Sequence, residues 1–270
     1  MVTVFSGCKK KDTDIDVAKR IVCLSPSSGE IICAVGGEDK IVARTDFCDF
    51  PSVMNKFPSV GGFSGETISL EAILSFKPDF VYGSSGAHEM LSESLSSYGI
   101  KVFLSDCSSL DSLYEEIEYI GKVTDCSKRA QIFIGEMKRS IEMDTDIKDT
   151  ADKKVKVFYE LWNEPFISVG NSSFINDIIE KSGCYNIFSD IKEGYPEVSE
   201  ESILERNPDI IILPNDNGYS LDNIYRRKSW QNINAVKNKR ILQVDGNVFN
   251  RPGPRVVDAV LELRQFAVGK

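Results

Sequence analysis

The sequence predicts an α/β fold of two similar lobes, each with a parallel sheet, joined by one long rigid α-helix. The main observation is an internal repeat, because the segment that begins at Ser69 is echoed by the segment that begins at Ser199. Each copy contains Ser and Glu, then Ile-Leu, then Pro-Asp and an apolar run. This order is typical of a capped short helix, a proline stop and a buried strand. The length of 270 residues is sufficient for two hydrophobic cores.

The composition argues against several classes of function. A net charge of −9 disfavours nucleic acid or an anionic membrane surface as the main partner. The only histidine, His88, rules out sites built from several imidazoles, and we expect it to be exposed at a helix start. No apolar run approaches the roughly eighteen residues of a membrane span. The cysteines after Cys8 have no metal-binding spacing, and no disulfide is predicted.

Residues 1–19 differ in character from the rest of the chain. A short apolar segment ends in Ser6-Gly7-Cys8, and a charged stretch follows it directly. One interpretation is the remnant of a bacterial lipoprotein signal, with Cys8 acylated and the charged stretch serving as a tether. The alternative is a disordered leader with an accidental cysteine. The first interpretation predicts an extracytoplasmic protein that is either lipid-anchored to the cell membrane or periplasmic.

Residues 20–107 are predicted to form the N-terminal lobe. Apolar, β-branched runs indicate strands over residues 20–25, 40–44, 80–82 and 101–105. Ser27 and Glu30 have the spacing of a capping box, which predicts a helix over residues 28–35. Alternating strands and helices indicate an open, Rossmann-like parallel sheet, which binds ligands at the carboxyl ends of its strands.

Residues 108–152 are predicted to connect the lobes, and residues 153–270 to form the C-terminal lobe. Helical periodicity extends over residues 110–123 and 127–149, and the second helix would be roughly 33 Å long. The C-terminal lobe is predicted to contain strands over residues 154–162, 210–213 and 239–244. A rigid connecting helix would limit how far the two lobes can move.

Several motifs occur together in this chain: residues 20–26, 46–51, 60–62, 195–199 and 251–255, in addition to the repeat. In combination they resemble the helical-backbone substrate-binding proteins of bacterial ABC importers for cobalamin, ferric siderophores and haem. The resemblance implies a monomer without enzymatic activity or cofactor. It also implies that a small-molecule ligand binds in the cleft between the lobes and is delivered to a permease dimer.

The resemblance further implies roles for individual residues. One Glu on each lobe, Glu71 and Glu201, would dock onto the permease, although first-turn stabilisation of a helix is an alternative role. A metal-containing corrinoid is the favoured ligand. A ferric siderophore or haem is the alternative, and His88 could serve as an axial haem ligand, although a lone histidine at a helix start is more often exposed. A tetrapyrrole-chelatase-like enzyme is a candidate from another class. Arg44 and Arg255 are further arginines that an anionic chelate could use. The ligand-binding residues would be Ser25, Pro26, Ser27, Phe47, Phe63, Ser84, Trp162, Tyr195, Phe249 and Arg251.

Overall fold

Parallel sheets form the framework of the chain. A computed structural model describes residues 15–64, 66–143, 154–218 and 220–269. Of these residues, those up to Cys107 and residues 111–136 form one unit, here called lobe 1. Residues 108–110 and those from Met137 onward form lobe 2. The prediction of an α/β fold with two lobes and parallel sheets is confirmed.

Lobe 1 contains four parallel strands in the order β2-β1-β3-β4. All four predicted strands are present, and buried side chains such as Val22 and Val81 pair across the central strands. The strands are β1 (Ile21–Cys23), β2 (Ile41–Arg44), β3 (Phe80–Ser84) and β4 (Lys101–Ser105). The helices are α1 (Pro26–Val35), α2 (Leu70–Ser75), α3 (Glu89–Ser97), α4 (Leu110–Val123) and α5 (Ser127–Met143). The first residue of α4 belongs to lobe 2, and the chain passes from lobe 1 to lobe 2 within α5.

Lobe 2 repeats this topology. Its strands lie in the order β10-β9-β5-β8, and a separate antiparallel ribbon pairs β6 with β7. In order of sequence the four parallel strands follow the same 2-1-3-4 arrangement as those of lobe 1. The strands are β5 (Lys156–Tyr159), β6 (Trp162–Asn163), β7 (Phe166–Ile167), β8 (Tyr185–Asn186), β9 (Ile210–Pro214) and β10 (Ile241–Val244). The helices are α6 (Phe174–Lys181), α7 (Glu200–Arg206), α8 (Leu221–Arg226), α9 (Asn234–Lys237), α10 (Gly246–Phe249) and α11 (Val256–Ala267).

The two copies of the repeat adopt the predicted structure. The Ser69 hydroxyl accepts a hydrogen bond from the Ala72 amide at 3.1 Å, and the Ser199 hydroxyl accepts one from the Ser202 amide at 3.2 Å. Each cap satisfies a backbone donor that the first turn of a helix leaves without a partner. After each helix the chain enters the third strand of its sheet, β3 or β9.

The repeated Ile and Asp have structural roles in both lobes. Ile73 and Ile203 are fully buried in their respective cores. Asp79 accepts hydrogen bonds from the amides of Lys19 and Arg20, both at 2.9 Å, just before β1. Asp209 accepts one at 3.1 Å from the amide of Lys156, which begins β5. The repeat therefore fixes the first strand of each sheet as well as the third.

Several sequence predictions differ from the structure at element ends. Helix α1 begins at Pro26 with Ser25 as its N-cap residue, so the predicted capping box at Ser27 is wrong. Proline is suited to the first helical turn because its missing N–H would have no partner there. The prediction for α5 ran to residue 149, but residues 144–153 lie outside the described part of the chain. Within the described ranges, no helix has both the length and the apolar character needed to cross a membrane.

Candidate functional site

Lobe 1 places two aromatic side chains together after the ends of its strands. Phe47 follows β2 and is 50% exposed, while Phe63 is 38% exposed. Their ring centroids lie 6.0 Å apart in an edge-to-face arrangement. Edge-to-face pairing leaves ring surface available to a further apolar partner. We call Phe47 and Phe63 the lobe 1 aromatic face, and the half-buried Ser84 ends β3.

His88 packs against this face, with its ring centroid 5.5 Å from that of Phe63. It is 1% exposed, so the expectation of a solvent-exposed histidine is wrong. Its Nδ1 accepts a hydrogen bond from the Ser84 amide at 3.0 Å, and its Nε2 lies 2.9 Å from the Phe63 carbonyl oxygen. Because an amide can only donate, the imidazole proton is on Nε2, which donates to Phe63. Burial lowers the pKa of His88, which favours this neutral form.

The loop between β1 and α1 has a different character. The side chains of Ser25 and Ser27 are buried, and Pro26 is half-buried. The backbone carbonyl of Ser25 accepts hydrogen bonds from the Ser28 amide at 3.0 Å and from the Cys48 thiol at 3.0 Å. Among the residues that the structure describes, the buried Ser25 hydroxyl has no hydrogen-bond partner. The loop is therefore held by its backbone and leaves one buried polar group unused.

Arg44 stabilises the loop that carries Phe47. Its guanidinium donates to the carbonyl oxygens of Met54 at 2.9 Å and Thr45 at 2.8 Å. The Asp46 carboxylate accepts a hydrogen bond from the Ser59 hydroxyl at 2.6 Å. These contacts engage Arg44 in the fold of lobe 1.

Lobe 2 presents its aromatic residues on the β6–β7 ribbon and the segment beside it. Trp162 begins β6 and is 44% exposed, and its indole N–H donates to the Glu164 carbonyl at 3.0 Å. Tyr195, 49% exposed, precedes Pro196, whose carbonyl accepts from the Ser168 amide at 3.0 Å. The segment containing Tyr195 is thus hydrogen-bonded directly after β7. We call Trp162 and Tyr195 the lobe 2 aromatic face.

A buried ion pair holds the ribbon in place. Glu160 is fully buried between β5 and β6, and its two carboxylate oxygens accept hydrogen bonds from Arg227 at 2.6 and 2.7 Å. The Arg227 guanidinium also lies 5.1 Å from the Phe166 ring centroid and 4.3 Å from that of Trp230. Burial raises the pKa of Glu160, while the bidentate bonds to Arg227 oppose this rise.

Two other predicted ligand residues in lobe 2 occupy different environments. Phe249 is fully buried at the end of α10, so it packs in the core and its assignment to the ligand surface is corrected. Arg251 follows shortly after and is half-buried. Phe50 is an exposed aromatic that sequence reasoning left out, at 44% exposure. It lies within the same 46–51 motif as Phe47, which is the signal that would have identified it.

The two predicted docking carboxylates are exposed in the first turns of α2 and α7. Glu71 accepts a hydrogen bond from the Ser69 hydroxyl at 3.3 Å. Glu201 lies at the corresponding position of α7 and is also exposed. The preceding Glu200 is different, because it accepts the indole N–H of the buried Trp230 at 2.8 Å. Glu200 therefore serves the fold, while Glu71 and Glu201 face solvent.

The sequence comparisons assign this architecture to a family. Residues 21–248 match the family described as periplasmic binding protein. The chain belongs to the periplasmic binding protein family. The resemblance inferred from the sequence motifs is confirmed, and with it the expectation of a binding protein. Beyond that, Cys8 lies outside the described residues, and the roles of the individual site residues stay predictions.

Three relatives align with nearly the whole length of this binding protein. It is 31% identical to the uncharacterized ABC transporter substrate-binding lipoprotein YvrC of Bacillus subtilis (strain 168), over 98% of this chain and 84% of that protein. A possible iron-binding, periplasmic solute-binding protein of Staphylococcus epidermidis has 32% identity and a TM-score of 0.82, with 94% and 99% of the two chains covered. The periplasmic vitamin B12-binding protein BtuF of Vibrio cholerae has 25% identity and a TM-score of 0.78, with 93% and 97% covered.

Proposed function

We propose that this protein is the extracytoplasmic substrate-binding component of an ABC importer and that its ligand is a corrinoid. The observation that carries the proposal is Trp162, a large aromatic side chain that is 44% exposed at the start of a ribbon fixed by a buried ion pair. A buried aromatic needs no function beyond packing, whereas an exposed and positioned one is suited to bind a ligand. The protein acts by binding and release, without catalysis.

Corrinoid chemistry matches the side chains that the two aromatic faces offer. A corrin ring has broad apolar surfaces and a rim of amide groups. Phe47 and Phe63 in lobe 1 and Trp162 and Tyr195 in lobe 2 offer apolar ring surface. The half-buried Arg251 would supply a polar contact, as ligand sites require a few placed polar groups. The vitamin B12-binding relative from Vibrio cholerae supports this choice.

An iron complex is the second candidate, because the relative from Staphylococcus epidermidis is described as a possible iron-binding protein. Ferric siderophores are often anionic, and a site that contains several arginines favours their binding. Arg44 is occupied by backbone carbonyls of its own lobe, so Arg251 and Arg255 would have to supply this charge. Because the contacts of Arg44 remove one of the three candidate arginines, the corrinoid is favoured over an anionic iron complex.

Attachment to the membrane would depend on Cys8. The YvrC relative is described as a lipoprotein, and Ser6-Gly7-Cys8 precedes a charged stretch in this chain. We propose that Cys8 carries the lipid anchor. Mass spectrometry of the protein from its native membrane should find Cys8 acylated at a processed N-terminus, and an unmodified Met1 on cytoplasmic protein would refute the anchor.

Tryptophan fluorescence provides the test of the ligand. The chain has two tryptophans, and Trp230 is buried with its indole N–H on Glu200. Cyanocobalamin, a panel of ferric siderophores and haem would each be titrated into the purified protein. We expect cyanocobalamin to quench Trp162, and Trp162→Ala to weaken its binding at least about tenfold, as for an aromatic hot spot.

The matched control is Tyr185→Ala in the same lobe. Tyr185 is 43% exposed but pairs with Lys156 at the amino end of its sheet, away from the strand ends that precede ligand loops. Its removal should leave cyanocobalamin binding unchanged. Binding of a siderophore or haem alone, with no effect of Trp162→Ala, would overturn the corrinoid proposal in favour of the second candidate.

A further inference from the structure

Lobe 1 contains a cavity of about 400 Å³ between α3, β4 and α4. This volume lies within the range of small-molecule sites in proteins. Phe103 of β4 and Tyr119 of α4 both line it, and their ring centroids lie 4.8 Å apart. The cavity therefore has an aromatic wall, and it is built from lobe 1 residues alone.

A buried carboxylate lies at this cavity. Glu116 is 6% exposed, accepts a hydrogen bond from the Tyr82 hydroxyl, and accepts another from the Ser105 hydroxyl at 2.7 Å. Burial raises the pKa of Glu116. The hydrogen bonds from Tyr82 and Ser105 oppose this rise because they stabilise the charged carboxylate, and a cation beside Glu116 would stabilise that form further.

The rest of the lining increases the negative charge. Four further carboxylates line the cavity and are exposed to solvent: Glu89, Glu93, Asp106 and Glu115. Of the described residues that line it, none is Lys, Arg or His. A ligand with a positive charge would meet a favourable potential at the entrance as well as in the interior.

An unused polar group at the cavity gives independent support. Ser92 of α3 lines it and is 2% exposed, and its hydroxyl oxygen has no hydrogen-bond partner in the part of the chain that the structure describes. Buried polar groups in native proteins nearly always have a partner, because burying one without a partner costs free energy. A bound ligand would supply the missing partner.

We propose that this cavity is a second binding site, specific for a small organic cation such as a primary amine with an aromatic or branched apolar body. The ammonium group would pair with Glu116 and donate to the Ser92 hydroxyl. The apolar body would pack on Phe103 and Tyr119, and aromatic rings also attract a nearby cation. Within the described residues no cluster of His, Cys, Asp or Glu is placed to hold a metal ion, and the apolar wall suits an organic group.

This site is separate from the aromatic faces proposed for the corrinoid. Both tryptophans belong to lobe 2, whereas the residues that line this cavity belong to lobe 1. Leu104 lines the cavity, and its methyl groups can be followed by NMR. The two proposals can therefore fail independently.

The experiment titrates the full chain with phenethylammonium, using calorimetry and the Leu104 methyl signals. The neutral 2-phenylethanol, which has the same shape, is the ligand control. We expect saturable binding of the amine, at least tenfold weaker binding of the alcohol, and shifts of the Leu104 methyl signals. Glu116→Gln should weaken amine binding at least tenfold, and Ser92→Leu, which fills the space, should abolish it.

Glu118→Gln is the matched control on the same helix, because Glu118 pairs with Lys122 at the surface and does not line the cavity. It should bind the amine as the parent chain does. Asp106→Asn, at an exposed position, tests the charge without disturbing the interior and should weaken binding severalfold. The proposal is overturned if the amine fails to bind at millimolar concentration, or binds equally to the parent chain and to folded Ser92→Leu.

Discussion

At the scale of single residues, His88 connects the end of β3 to the loop that carries Phe63. Its imidazole bridges the Ser84 amide and the Phe63 carbonyl, and its pKa is lowered by burial. The unfolded chain has an imidazole pKa near 6.5, so it binds more protons than the folded chain once the pH falls below about that value. The stability that neutral His88 contributes is therefore fully present above a pH of about 6.5. It is lost as the pH falls toward the pKa of His88 in the folded chain.

We predict that the free energy of unfolding decreases between pH of about 6.5 and the folded pKa, and that His88→Gln removes this dependence. Urea unfolding at a series of pH values measures the change. Because His88 is the only histidine, its nitrogen NMR signals can be assigned directly. A folded imidazole that titrates above 6.5 would contradict the prediction.

Arg227 provides a second prediction at this scale. Arg227→Met should leave the buried Glu160 without its cation, at a cost of about 3–5 kcal/mol in urea unfolding. The loss should become smaller at low pH, because protonation then neutralises the carboxyl group. The control is the neighbouring Arg226, which has the same side chain. Its side chain is 81% exposed and pairs with Asp222 at 3.8 Å, so its loss leaves no buried charge without a partner.

Arg226→Met should change stability by no more than about 0.5 kcal/mol. Equal effects at the two positions would show that the ion pair with Glu160 contributes nothing specific.

Neither this ion pair nor the burial of His88 could be predicted from the sequence. Arg227 is distant from Glu160 along the chain, and Phe63 is distant from His88, so no local pattern links the partners.

At the scale of elements, the repeat predicted the most because its signals are local. The capping Ser, the apolar Ile and the Pro stop all act within a few residues, and both helix–strand pairs formed as expected. The ribbon of β6 and β7 and the strand β8 were not predicted individually. Each has two residues, which is too short for alternation or an apolar run to be recognised.

The caps of α2 and α7 can be tested directly. Ser69→Ala and Ser199→Ala should each reduce the free energy of unfolding by about 1 kcal/mol, because a first-turn amide loses its acceptor. Ser69→Asp and Ser199→Asp should restore most of this, since a carboxylate also caps and is favoured by the helix dipole. Urea midpoints of the four variants provide the comparison. If alanine and aspartate behave alike, the hydroxyl caps contribute nothing to stability.

At the scale of the whole molecule, the duplicated topology places one exposed carboxylate at the same position in each lobe. Glu71 and Glu201 each lie in the first turn of the helix that leads into the third strand of the sheet. The sequence could predict this equivalence because it depends only on the repeat. It could not predict which neighbouring acid serves the fold, since Glu200 binds Trp230 through a tertiary contact.

We predict that Glu71→Ala and Glu201→Ala leave stability within about 0.5 kcal/mol and cyanocobalamin affinity unchanged, because both side chains are exposed. Transport in cells that contain the permease should nevertheless fail, most completely in the double variant, since the proposed docking depends on both charges. Charge reversal to Lys should be more damaging, because like charges repel across an interface.

Glu205→Ala is the control for this last prediction, since it removes the same charge from an exposed position one turn later on α7. It should support normal transport, which would attribute the defect to the first-turn position and not to net charge. Binding of cyanocobalamin is measured on the same purified variants, so a defect in docking is distinguished from a defect in ligand capture. If Glu71→Ala or Glu201→Ala loses the ligand while still engaging the permease, these carboxylates belong to the ligand site and the docking assignment is wrong.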